Sequence, residues 1–382
     1  MKKNIRAAAV LFAVVFALAG VPGVFSLTVS GDAPETNIPV LNTALGTAWT
    51  QLITDLNNND LLKNLRSEPE NLIKSFGTAS IFASQGATQR GYGEPKRFTF
   101  TVGPMVGIKT GQSLGDVLGN LHGFADSIGR DIKNNGDAAL GLNLQALSGQ
   151  FSLNTSKFLL KGLDLGVRFG YFNLSKDKAP GFAFKTASFG LVANYQLFKE
   201  KNLVPVVLKW RGLSLGTGVI YTKSKIAYSI AFGEAGDFNQ PLSYLTSGDL
   251  GTLKLNPKLV FDMETNTVTV PLEATTAIQL FSFLNITLGV GADLGFGKNK
   301  MTLGVTSDVN IDPAGAAIGF QQTNPGSLSV TGGGKGAPQA FNFKVMTGVG
   351  FKFGPVILDM PFTWYPGDGL GASVGLTLGF TF

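Results

Sequence analysis

The sequence predicts an all-β chain, a transmembrane antiparallel β-barrel of about 14 strands, with an N-terminal helical hatch and a helical insert after strand 1. Three observations predict it. Period-two apolar segments recur from about residue 97 to the C-terminus. After residue 25 no run approaches the 18 continuous apolar residues of a helical span. The closing stretch "GASVGLTLGFTF" is apolar at every even position, yet its odd face holds only Gly, Ser and Thr. Charged residues are just 15% of the chain, against roughly 25% in soluble domains.

The first element is a leader. "MKKNIR" is basic, residues 7–20 are apolar, and Gly20, Pro22 and Gly23 end the stretch. That is the layout of a secretory signal peptide, assigned to residues 1–26, with an N-terminal membrane anchor as the alternative. Three of the net +6 charges are Lys2, Lys3 and Arg6, which leaves +3 on the mature chain and no basic run for nucleic acid. Zero cysteines exclude a lipoprotein anchor, disulfides and thiolate metal sites.

Residues 27–96 form the next unit. Leu41, Leu45, Trp49, Leu52, Ile53 and Leu56, then Leu61, Leu62, Leu65, Leu72, Ile73 and Phe76, follow helical spacing. "NNND" (57–60) divides them into two helices, and Asp60 is placed to cap the second. The linker "KSFGTASIFASQGATQRGYGEPKRF" (74–98) mixes Phe76, Ile81 and Phe82 with Ser80, Ser84, Gln85 and Arg90. It suits a segment folded back into a lumen, or a periplasmic extension beneath it.

The barrel is assigned to 97–382. "RFTFTVGPMVGI", "LDLGVRFGY", "ASFGLVANYQL", "VTVPLEATTAIQL" and "LNITLGVGADL" each carry one apolar face, with breaks such as "LSKDKAPG", "KEKN", "FGKNK" and "YPGDG". Asp164, Arg168, Glu273, Asp293, Lys344, Lys352 and Asp359 all fall on the opposite face. A soluble sandwich would alternate in the same way, with charge outward. Apolar faces of about 9–11 residues, few charges on the polar faces and aromatics at segment ends favour lipid outside. The 286 residues from 97 to 382, less a 26-residue helical insert at 111–136, allow 12 to 16 strands. A parity slip at Lys209–Leu213 marks a turn or bulge, and 306–338 reads as a long external loop.

Catalytic chemistry is poorly provided for. The single histidine, His122, lies in the helical insert, and no transition-metal constellation exists. The expectation is a non-enzyme without cofactor.

The order of leader, helical segment and barrel ending in Phe resembles the FadL-like long-chain fatty-acid transporters of the outer membrane. "FASQGATQRGY" and "GPVILDMPFTWYPGDGLGASVGLTLGF" look like the divergent spirochaetal branch of that family. The resemblance implies a hatch plugging the lumen, hydrophobic substrates entering from outside through apolar pockets, and a sideways exit. The Asn-Pro-Ala stretch of better-known members is replaced here by "ASQGATQRGY".

The expected function is passive uptake of hydrophobic solutes, most of all long-chain fatty acids, by an outer-membrane monomer. Trp49, Phe76, Ile81 and Phe82 are the candidates for the acyl tail. Arg90, Arg168, Lys344 and Lys352 are the candidates for the head group, or else neutralise lumenal carboxylates. Leu378, Phe380 and Phe382 resemble the terminal signal read by the barrel-assembly machinery. A general porin, a surface adhesion barrel and an outer-membrane hydrolase are the alternatives.

Overall fold

A computed structural model describes residues 26–58, 70–85, 97–110, 140–175, 181–231, 238–241, 251–313, 321–367 and 369–382. The expected leader up to residue 25, Asp60, Arg90, the 111–136 insert and His122 lie outside the described residues. The chain begins with β1 (Ser26–Ser30), β2 (Glu35–Thr36), α1 (Pro39–Asn58) and α2 (Glu70–Ala83). Then follow β3 (Phe98–Thr110), β4 (Leu140–Asn154), β5 (Leu163–Leu174), β6 (Phe182–Phe198), β7 (Lys201–Val204), β8 (Leu208–Ala231) and β9 (Phe238–Pro241). The rest are β10 (Gly251–Leu280), β11 (Leu284–Pro313), β12 (Gln322–Asn324), β13 (Gly326–Gly336), β14 (Phe341–Phe353), β15 (Val356–Tyr365), β16 (Gly371–Gly375) and β17 (Thr377–Thr381). Pro39 starts α1 where its missing N–H costs nothing, after Thr36 and Asn42 have bonded to each other.

The sheet contains fifteen strand segments, close to the fourteen expected. Several follow one another along one edge of a shared neighbour: β6 and β7 beside β8, β8 and β9 beside β10, β13 and β14 beside β11, and β16 and β17 beside β15. Counted in this way they make eleven staves, every one antiparallel to its neighbours: ten form the ring, which closes when β16 and β17 pair with β3, and β1 adds beside β13. At the seam Phe382 and Phe98 exchange backbone hydrogen bonds of 2.9 and 3.1 Å, and the Arg97 amide also donates to the Phe382 carbonyl. Closure removes the open edge that would otherwise leave backbone groups unpaired in lipid. The turns at the seam end are short: 155–162, 205–207, 281–283 and 354–355. Connections at the other end include 111–139 and 314–325, the long-loop end of such barrels.

Two of the strands are very long. β10 and β11 have 30 residues each, roughly 100 Å of extended chain, where a tilted membrane strand needs about 9–11 residues. Two expectations fall with this. "FGKNK" (296–300) is the middle of β11 and not a break, and 306–338 is largely strand, as β11, β12 and β13, rather than loop.

The faces decide between lipid and water. Leu215, Val219, Tyr221, Leu272, Leu288, Val290, Phe296, Phe343, Val349, Leu358, Met360, Val374, Leu378 and Phe380 are exposed on the outside of the ring. Thr101, Asn143, Gln145, Ser148, Asp164, Arg168, Thr222, Thr267, Thr287, Asp293, Lys344 and Asp359 are buried inside it. Such an inside-out ring matches lipid outside and not water.

Beyond one level the pattern reverses with no change of parity. Tyr221, Val268 and Phe296 are opposite one another on β8, β10 and β11, and the next outward row is Lys223, Asn266 and Lys298. Inward residues change from Thr222, Ser224 and Thr265 to Ile226, Met263 and Met301. The upper parts of these staves, with β13, β1 and β9, form an extension that is charged outside and apolar inside, with Val29, Val305, Val309 and Val330 buried.

The parity slip at Lys209–Leu213 is a β-bulge. Trp210 faces Ile278 and Leu213 faces Thr276, which leaves Arg211 and Gly212 opposite one residue. Gly212 takes φ +82°, and a Cβ there would meet the Phe198 carbonyl. Gln196 donates to the Arg211 carbonyl at 2.9 Å and Thr276 to that of Gly212 at 2.7 Å, so the bulge leaves these groups bonded.

Candidate functional site

The site is built around α2. The helix touches β3, β4, β8, β10, β11, β13 and β16, strands on all sides of a closed ring, so it lies within that ring. The helical spacing ran only to Phe76 in the sequence, but the helix continues to Ala83. The extra turns use Gly77, Ala79, Ser80 and Ala83, and the wall answers with glycines. A Cβ on Gly107 would come within 2.5 Å of the Ala79 carbonyl and the Ala83 amide, and one on Gly141 would strike the Ser75 carbonyl. One on Gly371 would meet the Phe82 ring at 2.9 Å, whereas Gly375 faces Met105 and Pro104. The closing strand therefore leaves room for the helix at Gly371.

Two kinds of contact hold α2. Toward the long-loop end it is apolar: Leu72, Ile73 and Phe76 pack with Ile226, Phe261, Met263, Met301 and Leu303, and the Phe76 and Phe261 rings are 6.2 Å apart. Below, it is polar. Ser80 is 3.0 Å from the Thr265 hydroxyl and accepts from Asn143 at 2.9 Å, and Ser84 donates to Thr269 at 3.3 Å.

The helix ends on a buried ionic cluster. Lys344, with no exposed surface, donates to Glu273 Oε1 at 2.5 Å, Asp293 Oδ1 at 2.6 Å and Gln85 Oε1 at 3.1 Å. Gln85 Nε2 donates to Asp293 Oδ2 at 3.0 Å, and the Tyr365 hydroxyl donates to the same oxygen at 2.9 Å. Phe82 stacks on Tyr365 with ring centroids 3.6 Å apart. One cation thus meets two carboxylates from adjacent staves, and Gln85 ties the end of α2 to both signs of charge. An ammonium has three protons, and here each has an acceptor. Removing Lys344 would leave two carboxylates in a buried place, a loss far larger than that of an exposed pair.

The other described sequence candidates are spread over the molecule. Ile81 and Phe82 are fully buried on α2, and Phe76 is half-buried nearer the long-loop end. Arg168, on β5, bonds to Gln150 at 2.8 and 3.2 Å in the polar interior nearer the seam. Lys352 is half-buried at the short-turn end, where its charge acts on Glu200, itself bonded to Lys209 and Arg211. Trp49, on α1, is buried away from these groups, and its indole nitrogen has no partner among the described residues. Phe382, Phe380 and Leu378 face outward beside the seam, where Phe382 packs on Phe98 at 5.1 Å. Among the described residues no group of acidic, His or Cys side chains forms a metal site.

Sequence reasoning missed Tyr365 as a partner of Phe82 and missed the apolar inner wall of the extension. The latter includes Phe172 and Phe184, with rings 5.5 Å apart, and Phe182 and Tyr228, at 6.4 Å. The available signal was the shift of large apolar residues to the opposite parity at Phe261 and Met263 of β10.

A family model described as Lsa36-like matches residues 25–382. No curated protein matches the chain. Solved structures with a likeness include the translocator domain of the autotransporter NalP from Neisseria meningitidis, at 9% identity and TM-score 0.29, covering 78% of this chain and 92% of that one. A Pseudomonas aeruginosa FadL homologue has 8% identity and TM-score 0.25, with 81% and 98% covered. The Pseudomonas putida toluene transporter TodX has 8% identity and TM-score 0.22, also with 81% and 98% covered. At such TM-scores these are likenesses only; the closed ring rests on its own strand pairing.

Proposed function

The chain belongs to the Lsa36-like family, and we propose that it is an outer-membrane channel for hydrophobic small molecules, long-chain fatty acids first among them, plugged by α2. The observation that carries the reading is the change of lining along the lumen. At the long-loop end the inward residues are Phe172, Phe182, Phe184, Tyr228, Phe261 and Met263, several of them only half-buried. Toward the seam they are Thr, Ser, Asn and charged residues, and α2 lies between the two zones. An apolar mouth above a helix held by a few polar bonds suits capture of a hydrophobic solute followed by movement of the helix. Phe76 lies where a tail would first meet α2, and Ile81 and Phe82 become available as the helix shifts.

The saturated bonding of Lys344 argues for a latch role there, and the head group falls to Arg168 or Lys352 farther along. The outward series Leu378, Phe380 and Phe382 supports handling by the barrel-assembly machinery, with the short-turn end in the periplasm. The length of the extension favours a second reading, a surface-binding scaffold with an inert lumen.

Labelled oleate uptake by cells carrying the full chain, or a chain lacking 70–83, tests the choice, together with single-channel recording. The channel reading expects uptake by the full chain, little steady conductance, and a large conductance once α2 is removed. Equal uptake with and without the protein would leave the scaffold reading in its place.

A further inference from the structure

Beyond the apolar belt the strand register gathers lysines. Lys185 of β6 is opposite Lys225 of β8, Lys225 is opposite Glu264 of β10, Glu264 is opposite Lys300 of β11, and Lys300 is opposite Lys335 of β13. The adjacent outward row adds Lys223 and Lys298 on either side of Asn266. All six lysines are exposed, and the row crosses five neighbouring staves, about 19 Å at the spacing of paired strands. Glu264 is the one anion in it, and Lys223 bonds to that carboxylate at 3.1 Å.

The arrangement is costly in isolation. Like charges directly opposite on a sheet destabilise it, and here the pairs Lys185–Lys225 and Lys300–Lys335 are directly opposite. Its position tells what would offset the repulsion. On β6, β8 and β11 these lysines follow the last exposed aromatics, Phe189, Tyr221 and Phe296. Such aromatics mark the hydrocarbon boundary, so the ammonium groups come where lipid head groups begin. Clustered lysines at that depth attract anionic lipid.

We propose that this row is a binding site for a phosphate-bearing anionic lipid in the leaflet at the long-loop end. Lys185, Lys225, Lys300 and Lys335 take the phosphates, and the belt of Phe189, Tyr221 and Phe296 lies against the acyl chains. The inference rests on the membrane-spanning ring alone and is independent of solute transport.

The test uses the full chain in phosphatidylcholine nanodiscs, with a fluorescent phosphatidylglycerol or a fluorescent diphosphorylated glycolipid as probe. One variant carries K185Q, K225Q, K300Q and K335Q. A control carries K157Q, K161Q, K199Q and K201Q at the short-turn end. Gel mobility before and after heating verifies that each ring is folded. The expected result is at least tenfold weaker retention of the probe by the first variant, unchanged retention by the control, and loss of wild-type binding at high salt. Equal retention by the first variant and the wild type, or an equal loss in the control, would overturn the site. A chain that stays soluble without detergent would instead overturn the membrane ring.

Discussion

The belt and the extension are parts of the same strands, yet they solve opposite problems. On β10, Leu272, Val270 and Val268 face out over Thr269, Thr267 and Thr265 inside. A few residues toward the long-loop end, Glu264 and Asp262 face out over Met263 and Phe261. Hydrogen bonding and pleat continue unchanged through the transition. Only the solvent differs: a lipid surround favours apolar atoms outside and leaves polar groups to pair within, while water favours burial of the apolar ones. A period-two pattern therefore states that two faces differ, and its composition at each level states what surrounds them.

Exchanging the interiors should produce the largest effects. Lys344→Met leaves Asp293 and Glu273 without their cation and is expected to cost about 3–5 kcal/mol, measured by urea unfolding in lipid. Met301→Lys places a charge between Ile73 and Met263, and a comparable loss is expected. Equal tolerance of both changes would break the contrast between a polar and an apolar interior.

Exchanging the exteriors should matter somewhat less. Val290→Lys on the belt should cost about 2–4 kcal/mol, whereas Thr302→Lys, outward on the same strand above it, should stay within about 0.5 kcal/mol. Similar costs at the two positions would place the lipid boundary elsewhere.

The smallest expected effect is electrostatic. Outside the belt, the hydrogen bond from Lys223, together with the charges of Lys223 and Lys225, holds the Glu264 carboxyl below its ordinary range. Its contribution is present above the unfolded-state value and fades as pH falls through the lowered folded one. Glu264→Gln should remove that small acid-side slope from stability curves, with no change at the short-turn end.

Much of the ring was legible from residues alone. The closing strand alternates as its letters do, with Val374, Leu376, Leu378, Phe380 and Phe382 exposed and Ser373, Thr377 and Gly379 buried. Gly212 appeared as a parity slip because a bulge consumes one extra residue. The strand breaks were less legible, since "FGKNK" reads as a turn to anyone who expects lysine only at strand ends. The lumenal site was half visible. Glu273, Asp293 and Lys344 could be assigned to an inward face, but which carboxylate meets which cation depends on register across β10, β11 and β14. The arrival of Gln85 from some 200 residues away was beyond any local pattern.

The path of the N-terminal segment sets an order of construction. β1 pairs at the long-loop end with Ser329–Gly333, α2 packs against strands from around the ring, and Arg97 bonds to Phe382 at the seam. Were the ring to close first, α2 would have to be fitted in afterwards, past a wall so close to it that Gly107 and Gly141 have no room for a methyl group. Closing β17 onto β3 around a helix already in place avoids that passage. The last hydrogen bonds to form, between Phe98 and Phe382, then act as a clasp on a ring already filled.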